Sequence, residues 1–84
     1  MPSTSQKTVT TTASVVVPSM IGDQSVYLHS SSGTLYIGGA DLTTANGYRL
    51  DNGDKLTIMV GDHEALYAIT SSGTANLYVM TQIN

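Results

Sequence analysis

The sequence predicts an all-β fold: a single antiparallel β-sandwich or jelly-roll-like domain with an extended N-terminal arm. Three observations predict this fold. Short runs rich in Val, Ile, Thr and Tyr alternate apolar and polar side chains, as half-buried strands do. Clusters of Gly, Asn and Ser interrupt these runs about every ten residues, a spacing typical of sandwiches and barrels. No segment carries apolar residues at the i, i+3, i+4 and i+7 spacing of an amphipathic helix.

The first element is a polar segment of low complexity, residues 1–14, which contains nothing to anchor a core. We expect it to be an extended or flexible arm, and residues 15–84 to form the sandwich. Two interpretations of the arm stay open. It is either a frayed terminus or a segment that orders as an added edge strand on a partner, because Thr and Val favour extended backbone. The residues expected to contact that partner are Lys7, Thr8, Val9, Thr10 and Thr11.

Seven strands are expected after the arm. They are 15–17, 25–29, 34–37, 48–50, 55–60, 65–70 and 76–81. The turn signals between them include Ser30 to Gly33, which separates two strands, and Gly61 to Glu64 and Ser71 to Gly73, which we interpret as hairpin tips. Asn46-Gly47 and Asn52-Gly53 are the pairs that best tolerate positive φ at both central positions of a hairpin turn.

A weak internal repeat links two parts of the chain. Residues 27–37 resemble residues 67–79, since a Tyr begins each segment and a Ser-Ser-Gly-Thr turn follows at the same offset of 40 positions. Two similar hairpins packed as the halves of a sandwich would explain this. The alternative is that any two hairpins with Ser and Gly turns look alike.

Four of the five tyrosines lie between aliphatic or small apolar neighbours. Because successive side chains of a strand point to opposite faces, these strands are apolar on both sides. Either both faces are internal or at the rim of a small core, or another chain covers one face. A core of this size rarely supplies more than about 3–5 kcal/mol, which favours oligomerisation. The expected oligomer interface is Tyr27, Tyr36, Tyr67, Ile69, Tyr78 and Met80.

Composition excludes several classes of function. An 84-residue chain is one domain, and without cysteine it has no disulfide framework or thiolate metal site. Three basic residues and a net charge of −3 do not make a phosphate-binding surface, so nucleic acid is not an expected partner. No apolar run is long enough to span a membrane, and residues 1–14 do not have the form of a secretory signal.

The sequence shows no catalytic motif. His63 to Tyr67 begins like a zinc-protease helix, but Tyr67 stands where the second His is required. A group of turn residues could meet at one end of the fold to bind a metal, although solvated turns are the favoured interpretation. These residues are Asp51, Asp54, Asp62, His63 and Glu64. We therefore expect no enzymatic activity, no metal and no cofactor.

The stretch 35–50 (Leu-Tyr-Ile-Gly-Gly-Ala-Asp-Leu-Thr-Thr-Ala-Asn-Gly-Tyr-Arg-Leu) and the stretch 66–75 (Leu-Tyr-Ala-Ile-Thr-Ser-Ser-Gly-Thr-Ala) resemble small β-rich structural proteins of tailed bacteriophages. The resemblance spans about residues 25–81 and implies a capsid decoration, or cement, protein. Such a protein would be made in the host cytoplasm, form a homotrimer and bind the major capsid protein on the outer surface of the virion. Its role would be to bridge capsomers, with residues 1–14 laced onto a neighbour.

An alternative within the same resemblance is a β-module of a phage tail, fibre or neck that recognises host glycans or assists assembly. Tyr36 or Tyr48 would then stack on a sugar ring. The resemblance supplies no catalytic residues.

Overall fold

The computed structural model describes residues 2–83, and it describes side chains from residue 3 to residue 82. The described chain consists of strands and loops, as the sequence predicted. The eight strands are β1 (Pro2–Val9), β2 (Ser14–Val17), β3 (Gln24–Ser32), β4 (Leu35–Gly38), β5 (Tyr48–Leu50), β6 (Lys55–Val60), β7 (Leu66–Thr70) and β8 (Ala75–Ile83).

Two four-stranded antiparallel sheets pack face to face. Sheet A has the order β1-β8-β3-β6 and sheet B has the order β2-β7-β4-β5. Every connection along the chain passes from one sheet to the other, except the one between β4 and β5. This alternation is the jelly-roll arrangement, so the predicted sandwich is confirmed.

The core lies between the sheets and is built by the alternating apolar residues of the central strands. On the sheet A side these include Val26, Leu28, Leu77 and Val79; on the sheet B side they include Leu35, Ile37, Leu66 and Ala68. Full burial of a Leu or Val side chain stabilises the fold by about 1.5–3 kcal/mol. The other side chains of the same strands point away from the core, because neighbours in a strand alternate between faces.

The loops gather at two ends of the sandwich. Loops 18–23, 39–47 and 61–65 lie at one end, which we call the Asp62 end. Segments 10–13, 33–34, 51–54 and 71–74 lie at the other, which we call the Gly33 end. The length of β6 separates them, and six residues of strand span roughly 20 Å.

The hairpin expectation is wrong for Gly61 to Glu64 and for Ser71 to Gly73, which carry the chain from one sheet to the other. Ser30 to Ser32 form the end of β3, and the chain crosses to sheet B at residues 33–34, so the first repeated segment is not a hairpin either. Gly33 and Gly73 take φ values of +74° and +64°, which the reversal of direction requires. These corners arise because the jelly roll places consecutive strands in different sheets.

The two Asn-Gly pairs also depart from the predicted turn. Gly53 takes φ +88°, but Asn52, Asn46 and Gly47 do not have positive φ. The connection that contains Asn46 is a wide loop between β4 and β5, too long for a two-residue turn. The side chain of Asn46 organises it: Oδ1 accepts the Thr43 N–H at 2.8 Å and Nδ2 donates to the Asp41 carbonyl at 3.1 Å.

The internal repeat has a structural counterpart. Each repeated segment contributes one strand to each sheet: β3 and β4 from the first, β8 and β7 from the second. These strands pair with each other, β3 with β8 and β4 with β7. Ser30 and Thr70 occupy matching positions before the two corners, and both are buried. The two segments are therefore related by an approximate two-fold arrangement within one domain.

Candidate interaction surface on the outer face of sheet A

The outward side chains of sheet A form rows that cross its four strands. The register pairs Gln6 with Tyr78, Tyr78 with His29, and His29 with Lys55. A second row lies two residues further along each strand and consists of Thr4, Met80, Tyr27 and Thr57. Directly opposed residues of antiparallel strands share a face, so these eight side chains form one continuous surface.

This surface is a concave groove of about 680 Å³, which we call the sheet A groove. Its floor is apolar and aromatic: Tyr27, Tyr78 and Met80 are 39%, 43% and 39% exposed. The rings of His29 and Tyr78 lie with centroids 5.9 Å apart and planes tilted by 59°. Thr4, Gln6, Lys55 and Thr57 supply hydrogen-bonding groups at its sides. An aromatic floor with a few polar groups is the usual composition of a binding surface.

Charges are strictly partitioned in this fold. All six Asp and Glu residues lie in loops, and all three Lys and Arg residues lie in strands. Four of the carboxylates, Asp23, Asp41, Asp62 and Glu64, belong to loops of the Asp62 end. The strands of sheet A contain no Asp or Glu, so the groove carries Lys55 and no acidic side chain. The molecule therefore has an acidic end and a neutral-to-basic face.

The Asp62 end also carries an exposed apolar projection. Ile21 is 83% exposed, and Met20 beside it is also exposed. Both neighbouring peptide groups are held in place. The Gly22 N–H donates to Asp62 Oδ1 at 2.6 Å, and the His63 N–H donates to the Met20 carbonyl at 2.8 Å. Ile21 thus projects from a loop whose backbone is fixed on either side.

One further bond joins the same two loops, because the Asp62 N–H donates to Asp23 Oδ1 at 3.0 Å. Within loop 61–65, His63 Nδ1 lies 2.9 Å from Asp62 Oδ2. His63 takes φ +63°, a conformation that side chains other than Gly rarely adopt. Three hydrogen bonds therefore connect loops 18–23 and 61–65.

The structure divides the six residues of the expected oligomer interface between two opposite sides of the sandwich. Tyr27, Tyr78 and Met80 lie on the outer face of sheet A. Tyr36, Tyr67 and Ile69 lie half-buried on the outer face of sheet B, where Tyr36 is directly opposite Ile69. The two sets do not form one surface, because the core lies between them.

The outer face of sheet B ends at an ion pair. The Arg49 Nε–H donates to Asp51 Oδ1 at 2.7 Å, and this hydrogen bond and the carboxylate charge raise the pKa of Arg49. Both side chains are exposed. The pair neutralises the charge of Arg49 on sheet B, whereas Lys55 is exposed on the outer face of sheet A.

The turn residues considered for metal binding do not converge. Asp51 and Asp54 lie at the Gly33 end, whereas Asp62, His63 and Glu64 lie at the Asp62 end. Within residues 2–83, no group of three or more His, Asp or Glu side chains is placed to hold a metal ion. That range also includes no helix of the length and apolarity needed to cross a membrane.

The N-terminal segment is extended over β1 and pairs with β8 of the same chain from Pro2↔Gln82 to Val9↔Ala75. Of the five arm residues, Val9 is fully buried and Lys7 is half-buried, while Thr8, Thr10 and Thr11 are exposed. The Thr10 carbonyl accepts the Thr70 N–H at 2.9 Å. A cleft of about 300 Å³ lies beneath β1, beside Ser5 and Lys7. β1 is therefore an edge strand with one deeply buried apolar side chain.

Sequence reasoning missed the projection at Ile21 and the polar sides of the groove. An isolated apolar residue beside Gly22 in a loop was a visible signal for the projection. The groove had no such signal, because residues from four separated strands form it.

Comparison with known proteins finds a similar fold in a solved structure. No protein-family model and no curated protein sequence matches the chain. Among solved structures, the chain is similar to a protein of Bacillus endospore appendages, described as a novel family of disulfide-linked pili. The likeness has a TM-score of 0.69 and 18% identity, and it covers 96% of this chain and 81% of the other. The chain therefore shares its sandwich fold with a pilus protein.

This finding corrects two expectations. The resemblance to structural proteins of tailed bacteriophages is wrong, because the structural likeness is to a bacterial pilus protein. The expected location on the outer capsid surface of a virion is wrong for the same reason. The major capsid protein as partner and the closed homotrimer lose their support with it. The short motifs that suggested a phage protein coincide with strands and loops of this sandwich, and a fold by itself does not define a function.

Proposed function

We propose that this protein is a non-enzymatic structural subunit that self-assembles into a fibre on the outer surface of a cell or spore. The observation that carries the proposal is that one small domain exposes two different apolar surfaces, the sheet A groove and the projection at Ile21. A subunit with two different adhesive surfaces can bind two neighbours at once. When each contact joins two different surfaces, subunits add one after another into an open filament, unless the rotation between them closes a ring.

The fold supports the same conclusion. The pilus protein of Bacillus endospore appendages has a similar sandwich over 96% of this chain. The longest edge strands of the domain, β1 and β6, both belong to sheet A and lie on its two sides. Strand edges offer backbone hydrogen bonds to another chain. Three residues of the predicted interface lie on the outer face of sheet A, and they fit a role as contacts between subunits. They are Tyr27, Tyr78 and Met80.

This chain would assemble differently from disulfide-linked pili in one respect. It contains no cysteine, so no disulfide joins its subunits. The fibre would be held by apolar contacts, hydrogen bonds and charge.

The test is the assembly state of the purified chain. Analytical ultracentrifugation from micromolar to millimolar concentration and negative-stain electron microscopy should show oligomers that grow into fibres. The fibres should dissolve in SDS with or without a reducing agent. A protein that stays monomeric over this range, at several pH values and salt concentrations, contradicts the proposal.

A further inference from the structure

We infer that the Asp62 end of one copy docks into the sheet A groove of the next copy, with Ile21 as the apolar projection that enters the groove. This inference rests on the proposed function and names the contact through which the fibre grows. The occupant of the groove is thus a second copy of this chain.

Shape is the first argument. Ile21 is the most exposed large apolar side chain in the described residues, and it stands on a loop held by bonds to Asp62 and His63. The groove is an open apolar concavity whose floor is Tyr27, Tyr78 and Met80. An apolar projection and an apolar concavity on one molecule bury each other when two copies meet. The fixed backbone on either side of Ile21 lowers the entropy cost of that contact.

Charge is the second argument. Asp23, Asp62 and Glu64 are exposed in the loops that carry or adjoin Ile21, and these loops contain no Lys or Arg. The groove has the opposite character, because Lys55 lies at its side and no acidic residue lies on the strands of sheet A. Complementary charge favours this orientation and opposes contact between two acidic ends.

Symmetry is the third argument. The projection and the groove are different surfaces. A dimer therefore keeps a free groove on one copy and a free projection on the other. A third copy adds by the same contact, and growth continues. A contact between two identical grooves would stop at a dimer.

The experiment compares three variants by sedimentation and electron microscopy, with circular dichroism to confirm folding. Ile21→Asp removes the projection and should abolish assembly. Tyr48→Asp is the matched control: it introduces the same charge at another exposed apolar residue, 62% exposed on β5, and should assemble as the wild type does. Lys55→Glu changes an exposed edge-strand residue of the groove and should raise the concentration needed for assembly at least tenfold.

Mixing two blocked variants gives the sharpest result. Ile21→Asp keeps its groove, and Tyr78→Asp keeps its projection. Each alone should be monomeric, while an equimolar mixture should form a dimer of twice the 8.8 kDa chain mass and no fibre. If Tyr78→Asp does not fold, Lys55→Glu takes its place, and the mixture is measured below the concentration at which Lys55→Glu assembles alone.

Each outcome decides. Wild-type protein that never assembles contradicts the proposed function. Wild-type protein that assembles while Ile21→Asp assembles equally well overturns this contact alone. Loss of assembly in Tyr48→Asp as well shows a general charge effect and also overturns it. The wild type could also bind a polysaccharide specifically on a glycan array, while Tyr78→Asp loses this binding but still forms fibres. That result would show that the groove binds a sugar, and it overturns the inference.

Discussion

Thr70 Oγ1 donates a hydrogen bond to the backbone carbonyl of Thr34 at 2.8 Å, and this bond joins the two corners at which the repeated segments pass between the sheets. Thr70 is buried at the end of β7, and Thr34 is the residue that precedes β4. Leu35 and Thr70 are paired in the β4·β7 register, so the bond lies at the end of that ladder. A buried hydroxyl therefore holds the Gly33 end together.

Replacing Thr70 with Val keeps the shape of the side chain and removes this donor. We expect the free energy of unfolding to fall by about 1–3 kcal/mol, because a partly buried carbonyl loses a hydrogen bond. A urea titration measures the change. Thr44→Val, in an exposed loop, should leave the midpoint nearly unchanged. Equal stability of the Thr70 variant and the wild type would show that the bond contributes little.

Gly47 is required by close packing rather than by a positive φ. A Cβ at this position would lie 2.5 Å from Tyr36 Cβ and 2.7 Å from Leu42 Cδ1. Gly47→Ala should therefore lower the free energy of unfolding by about 1–3 kcal/mol or more, as overpacking does. Gly39→Ala, in the same loop, meets its nearest atom at 3.7 Å and should be tolerated. Thermal unfolding of the two variants in parallel decides the matter.

Asp62 fixes the loop that presents Ile21. Asp62→Ala removes the acceptor of the Gly22 N–H, so backbone amides of residues 19–23 should exchange with deuterium at least several-fold faster. Asp41→Ala, which removes the same charge from another loop of the Asp62 end, should leave that exchange unchanged. Slow exchange in the Asp62 variant would mean that the His63 bond to Met20 suffices to hold the loop.

β1 should open before the rest of sheet A. Its neighbour β8 pairs on both sides, whereas β1 pairs on one side, and Val9 is its deeply buried apolar residue. Local opening is easiest where little apolar surface is buried. Hydrogen exchange followed by mass spectrometry should show faster exchange in residues 3–8 than in residues 26–30 of monomeric protein. Protection of residues 3–8 that appears only on assembly would assign β1 to a subunit contact.

Alternation along the chain predicted most of the strands closely. Residues 48–50 and 55–60 have the predicted bounds, and β7 and β8 differ from prediction by one or two residues. This success has a local cause, since side-chain alternation and turn residues act over a few positions. β1 was not predicted as part of the molecule's own sheet, because its polar residues give no sign of which edge they join.

The sequence by itself determined the class of fold, the inward residues such as Leu35 and Leu77, and the absence of cysteine that rules out disulfide cross-links within this chain. Tertiary structure alone decided that Tyr27 and Tyr78 share a groove on sheet A, while Tyr36 and Tyr67 lie on the outer face of sheet B. It also decided that Ile21 and four of the acidic residues gather at the Asp62 end. The physical reason is the range of the interactions. Alternation and turn chemistry are set between near neighbours, whereas a surface depends on which distant strands lie side by side.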